Sequence, residues 1–162
     1  MMKRRGLLVC LMSGLLGLLG CAQKKMPEGD VVLVRLTHSG TMAGYDYFGR
    51  VQQDFSGAFV LRAMQENRGP LFEKKLDAAM MKKFREIIEE EKMYNYKDYY
   101  KPKFEVLDGW GWSFDAKFSD GTMIGSHGSN AGPRDNGLER IREYMVELAK
   151  DGVEVEPAED EE

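Results

Sequence analysis

The sequence predicts an α+β domain: a single antiparallel sheet of about five strands, in the order β-β-β-α-β-β-α, with two helices packed on one face. Three observations predict it. Trp110, Trp112, Phe114, Ala116 and Phe118 stand two apart with Gly111, Ser113, Asp115 and Lys117 between them, and a second run returns after Ser119-Asp120-Gly121. Strict alternation marks a strand with one buried face, and a glycine turn between two such runs marks a hairpin. Three further short runs between Val31 and Met64 are joined by brief connections, which favours an antiparallel meander. Two later segments carry apolar residues at helical spacing.

Taken in order, Val31–His38 reads as a first strand. Tyr45–Gln53 is a second, and Ala58–Met64 a third after the turn Asp54-Phe55-Ser56-Gly57. Gln65–Pro70 breaks the pattern. Asp77 then suits a helix N-cap, with Leu76 and Met81 at the hydrophobic-staple positions. Met80, Phe84, Ile87 and Ile88 form the apolar stripe, and the helix is expected to end near Lys92. Met93–Phe104 interleaves Tyr94, Tyr96, Tyr99 and Tyr100 with lysines. Pro102 blocks a regular helix there, so the stretch reads as an irregular loop.

The hairpin admits two registers. A two-residue Asp120-Gly121 loop pairs Phe118 with Met123 and turns His127 inward. A three-residue loop with Gly121 left-handed pairs Phe118 with Thr122, buries Ile124 and leaves His127 wet. The second is favoured, because it buries the isoleucine and hydrates the imidazole. Gly128–Gly137 is a Gly/Asn/Asp-rich connection. Leu138, Ile141, Met145 and Leu148 follow at helical spacing, with Gly152 placed to end the helix.

Composition narrows the function. Charged residues are 31% and apolar residues 43%, which suits one globular domain. The formal charge is −4, and it becomes −7 without Lys3, Arg4 and Arg5. That balance lacks the basic footprint of a nucleic-acid binder. The two cysteines are Cys10 and Cys21, so the expected folded part, residues 30–152, has no thiol chemistry. Residues 153–162 are acidic, contain Pro157 and read as a disordered tail.

At the N-terminus, Lys3-Arg4-Arg5 precedes an apolar run, Gly6–Gly20, too short to span a bilayer. A basic flank, a short apolar run and a small-residue exit make a secretory signal over residues 1–20. The exit, Leu18-Leu19-Gly20-Cys21, resembles the lipobox of bacterial lipoproteins. The resemblance implies cleavage before Cys21, a lipid on its sulfur and a membrane partner reached through that lipid. Ala22 follows where an aspartate would favour inner-membrane retention, which implies an outer membrane facing the periplasm. Residues 21–29 then read as a short lipidated tether. The pattern Asp108-Gly109, Trp112, Phe118, Asp120-Gly121, Ile124, Gly128-Ser129-Asn130 and Pro133 also resembles small bacterial secreted or lipoprotein domains of unknown function. That resemblance brings no activity with it.

Candidate chemistry is sparse. His38 and His127 are the only histidines and show no metal-ligand spacing, so neither a metal nor another cofactor is predicted. Ser126, His127 and Asp115 name a triad on paper, but Ser126 and His127 are strand neighbours and point to opposite faces. Gly128–Pro133 precedes a helix and could cradle an anion or could simply be a connection that needs glycine. Tyr94, Tyr96, Tyr99, Tyr100 and Trp110 could present stacking faces to a partner, or could be edge residues with buried rings. The expectation is a non-catalytic envelope module that binds a protein or cell-wall component, the alternative being a small-ligand or substrate binder with weak hydrolytic activity. A concave apolar pocket with convergent polar groups favours the ligand reading. A flat aromatic patch favours the protein partner.

Overall fold

The computed structural model describes residues 24–40, 45–104, 106 and 109–158. The leader, Cys21, Ala22 and residues 159–162 lie outside them. The elements are β1 (Val31–Ser39), β2 (Tyr47–Gln53), β3 (Phe59–Met64), β4 (Leu71–Leu76), α1 (Ala78–Glu90), β5 (Tyr99–Tyr100), β6 (Gly111–Phe118), β7 (Met123–Ser129), α2 (Gly137–Ala149) and β8 (Val153–Val155). They build one sheet in the order β5-β7-β6-β1-β2-β3-β4-β8.

The sheet therefore corrects the expectation of about five antiparallel strands. It has eight strands and is mixed, because β5 runs parallel to β7 while the other neighbours are antiparallel. Three strands were not foreseen. β4 lies between the break at Gln65–Pro70 and the Asp77 cap, where the sequence reading assigns no element. β5 lies inside the expected irregular loop, and β8 lies inside the expected disordered tail.

The hairpin that anchors the prediction takes the three-residue loop. The Phe118 amide donates to the Thr122 carbonyl at 2.9 Å, and Gly121 sits at φ +86°. A left-handed residue at that point costs glycine little and other residues more. Ser126 is consequently buried, Ile124 half-buried and His127 exposed. β6 then places Trp112, Phe114, Ala116 and Phe118 on the buried face.

Both helices cover that face. The Asp77 carboxylate accepts from the Met80 amide at 2.8 Å and caps α1, while Leu76 and Met81 are both buried as the staple requires. Phe84 of α1 meets Tyr144 of α2 edge-on, with ring centroids 4.8 Å apart. Phe84, Ile88, Ile141 and Met145 close the core over Val34, Val51, Leu61 and Phe114.

The segment read as a tether is docked on the body for most of its length. Pro27 is buried and Met26 packs against the core. The Arg85 guanidinium donates to the carbonyls of Pro27 and Gly29. Lys24 reaches the Tyr96 carbonyl and the Asp98 carboxylate.

Candidate functional site

At one end of the helix-covered face, a transverse row of side chains reaches past the cover. Tyr47 on β2 stands opposite His38 on β1, which stands opposite Trp112 on β6. Strand alternation puts all three on the same side. The connection into α2 and the first turns of that helix rise across from this row, and a cleft of about 430 Å³ lies between them. Its walls include Leu36, Pro133 and Leu138; its polar groups are His38, Asn67, Asp135, Asn136, Glu139 and Arg142.

Trp112 sets the depth. Its indole Nε1 donates to the Ala131 carbonyl at 2.8 Å and ties the glycine-rich connection to the sheet. Gly128 opposite it makes room: a Cβ there would lie 2.5 Å from Nε1 and 2.4 Å from the Ala131 oxygen. Trp110 forms the rim. Its ring stacks on His38 with centroids 5.4 Å apart, and it remains 41% exposed. An indole held by one face and open elsewhere is a platform for a flat ligand surface.

The polar groups are held in place from behind. The buried Tyr96 hydroxyl donates to Asp135, whose carboxylate also accepts from the Gly137 amide at 3.0 Å. Asp135 thereby does the capping that the adjacent Asn136 side chain does not. Burial, reinforced by Asp135, pushes the Tyr96 phenol well above the ordinary tyrosine range. Arg142 pairs with Glu139 at 2.8 Å, reaches the Asn67 amide oxygen at 3.4 Å and lies over the Tyr47 ring at 5.4 Å. The Tyr47 hydroxyl is buried without a hydrogen-bond partner among the described residues, and burial raises its pKa strongly.

The reactive inventory of the cleft follows from its lining. Among the described residues that line it there is no serine or cysteine, and the Thr37 hydroxyl is engaged by Ser113 at 2.8 Å. His38 Nδ1 is 3.7 Å from Asp46, beyond hydrogen-bond reach, and Asp46 is engaged by Arg68 at 2.7 Å. His127 pairs in register with Ser113, one position out of step with the Trp112 row, so the two histidines occupy opposite faces of the sheet. No group of three or more potential ligands capable of holding a metal occurs among the described residues. The paper triad is dispersed as well: the Ser126 hydroxyl donates to the Lys97 carbonyl at 2.6 Å, on the face away from His127 and Asp115. Asp115 is held above the usual carboxylate range by burial, with Arg35 and His127 opposing that rise.

The five aromatics proposed as a contact surface are not brought together. Tyr96 is buried. Tyr100 packs between Tyr96 and Trp112, and Tyr94 is half-buried. Tyr99 is exposed beside His127, on the sheet face opposite the cleft, and Trp110 alone of the five lines the cleft. Tyr47, Asn67, Asp135, Asn136, Glu139 and Arg142 were not foreseen as site residues. For Asp135, Asn136, Glu139 and Arg142 the signal is the density of planar polar side chains across the end of the glycine-rich connection and the start of α2; Tyr47 and Asn67 carry none. That connection serves as a cleft wall. Comparison with models of protein families, with curated proteins and with solved structures finds no match to this chain.

Proposed function

We propose that this protein is a lipid-anchored envelope protein whose cleft binds a sugar ring of a cell-wall glycan without transforming it. The observation that carries the reading is the pairing of the open Trp110 indole with Asn67, Asp135, Asn136, Glu139 and Arg142 around one concavity. A pyranose has an apolar C–H face and a rim of hydroxyls. The indole matches the face, and planar amide, carboxylate and guanidinium groups match the rim, since they donate or accept in pairs. The expected contact with a protein partner through an aromatic patch is less supported, because Tyr96 and Tyr100 pack inward.

The lipid at Cys21 supplies location. Three residues extended span about 10 Å, and Lys24 is already docked against the Tyr96 and Asp98 end of the body. An acyl chain on Cys21 therefore holds that end against the bilayer, in an outer membrane facing the periplasm, within reach of wall polymer. Cys21→Ser is expected to abolish incorporation of labelled fatty acid, and blocking the lipoprotein signal peptidase to leave a larger precursor. A mature form without lipid that starts elsewhere overturns the anchor.

The ligand reading is tested by calorimetric titration with N-acetylglucosamine oligomers and soluble peptidoglycan fragments. Binding is expected, and Trp110→Ala should weaken it roughly tenfold, the worth of one aromatic stacking contact. No heat and no change in tryptophan emission with any of these glycans removes the proposal.

A further inference from the structure

The polar groups around the cleft are not equally free to meet a ligand. Both terminal nitrogens of Arg142 are engaged: Nη1 donates to Glu139 Oε1 at 2.8 Å, and Nη2 reaches Asn67 Oδ1 at 3.4 Å. One face of the guanidinium also lies over the Tyr47 ring at 5.4 Å. Each carboxylate, by contrast, keeps an oxygen in reserve. The Tyr96 hydroxyl and the Gly137 amide both donate to Asp135 Oδ1, and Oδ2 accepts from none of the described residues. Glu139 gives Oε1 to Arg142, and Oε2 accepts from none of them. Asp135 and Glu139 both line the cleft and are exposed.

A second observation is independent of the acids. Tyr47 lines the same cleft, is 1% exposed, and its hydroxyl has no partner among the described residues. A buried hydroxyl left unpaired costs free energy until water or a ligand completes it. Charge points the same way as the spare oxygens. Two carboxylates and one guanidinium line the cleft beside one imidazole, so it is anionic while that imidazole is neutral. Asp46, next to His38, is paired with Arg68 and adds no net charge. The open Trp110 indole contributes an electron-rich face, which attracts a cation held against it.

We infer that the cleft takes an amino sugar whose nitrogen is a free ammonium, in preference to the N-acetylated form. An ammonium brings three donors, no acceptor and a positive charge. The spare oxygens of Asp135 and Glu139 are its acceptors, and the C–H face of the ring lies on Trp110. An acetamido group brings one N–H, no charge and a carbonyl oxygen that meets an already engaged guanidinium. The inference rests on the glycan reading above and narrows it to cationic, de-acetylated residues of the glycan.

Calorimetric titration of the full chain with two trimers tests it, one of glucosamine and one of N-acetylglucosamine, at about pH 7 and about 0.01 M salt. The glucosamine trimer should bind about tenfold tighter, because hydrogen bonds to a charged group are roughly twice as strong as neutral ones. The ratio of the two affinities should shrink toward one in about 1 M salt, where the screening length falls to about 3 Å. Glu139→Gln changes an exposed side chain and should lower the ratio about threefold. Asp135→Asn keeps an oxygen for the Tyr96 hydroxyl and the Gly137 amide, removes the charge, and should lower the ratio as well. Equal affinity for both trimers, or a preference for the acetylated one, overturns the inference and leaves the glycan reading standing. Binding of neither removes both. A ratio unchanged in both variants overturns the inference, as does a sugar-free lysine tripeptide that binds as tightly as the glucosamine trimer.

Discussion

Phe114→Ala is expected to lower stability by roughly 3–5 kcal/mol, read as a fall in the urea midpoint at unchanged slope. Phe114 is fully buried on β6, opposite Leu36 of β1 and Ser126 of β7. Truncation there removes transfer energy and leaves a void that the two flanking strands cannot close, since their backbones are fixed by ladder hydrogen bonds. A domain of this size has about 5–15 kcal/mol in total, so the loss is a large share. The control lies four residues away: Trp110→Ala removes a larger side chain, but from a rim that is 41% exposed, and is expected to cost far less. An unchanged midpoint for Phe114→Ala, or equal losses for the two variants, contradicts the placement of β6 at the centre of the core.

The parts of this fold that were legible in the sequence are those encoded locally. Alternation from Trp112 to Phe118 gives β6; Gly121 supplies the positive φ that either short loop needs, and the three-residue register is the one that turns Ile124 inward and leaves His127 wet. Asp77, Leu76 and Met81 mark the start of α1 within six residues. The strands that escaped are held by partners remote in sequence. β4 reads as polar through Glu73-Lys74-Lys75, yet Lys74 extends past the core to Asp151 at 3.4 Å and leaves Leu71 and Leu76 to be buried. β5 is two residues long and is recruited by main-chain bonding, with the His127 amide donating to the Asp98 carbonyl at 3.1 Å. No side-chain pattern records such a pairing. β8 is Val-Glu-Val within an acidic run, and it becomes a strand because the edge of β4 is open to it. The cleft is less legible again. Its floor comes from three strands in register and its far wall from α2, and Tyr96, which reads as a candidate for exposure, is turned inward by the carboxylate of Asp135.

Above about pH 10 the protein should lose stability steeply, and Tyr47→Phe should blunt the loss. Tyr47 is 1% exposed, and its hydroxyl rests over Gly49, where even a Cβ would lie 2.8 Å from it. Burial raises its pKa well above the ordinary value of 10.0, so the folded state keeps the proton where the unfolded chain has released it. The unfolded state then binds fewer protons, and stability falls as pH rises. The contribution is complete below pH 10 and declines by about 1.4 kcal/mol for each further pH unit. Tyr96, buried and donating to Asp135, adds a decline of the same sign. Tyr144, raised by burial, adds to the decline too; in Tyr47→Phe the first contribution disappears and the slope between pH 10 and 11.5 should become shallower. At neutral pH the same variant gives up no hydrogen bond, because the hydroxyl has no partner among the described residues; it should equal or exceed the parent in stability, by up to about 1 kcal/mol. Urea midpoints across pH 7–11.5 for the two chains read both effects. Parallel curves show that Tyr47 ionises as freely folded as unfolded. A loss of more than about 1 kcal/mol at pH 7 shows that its hydroxyl is satisfied after all, by water or by whatever fills the cleft above it.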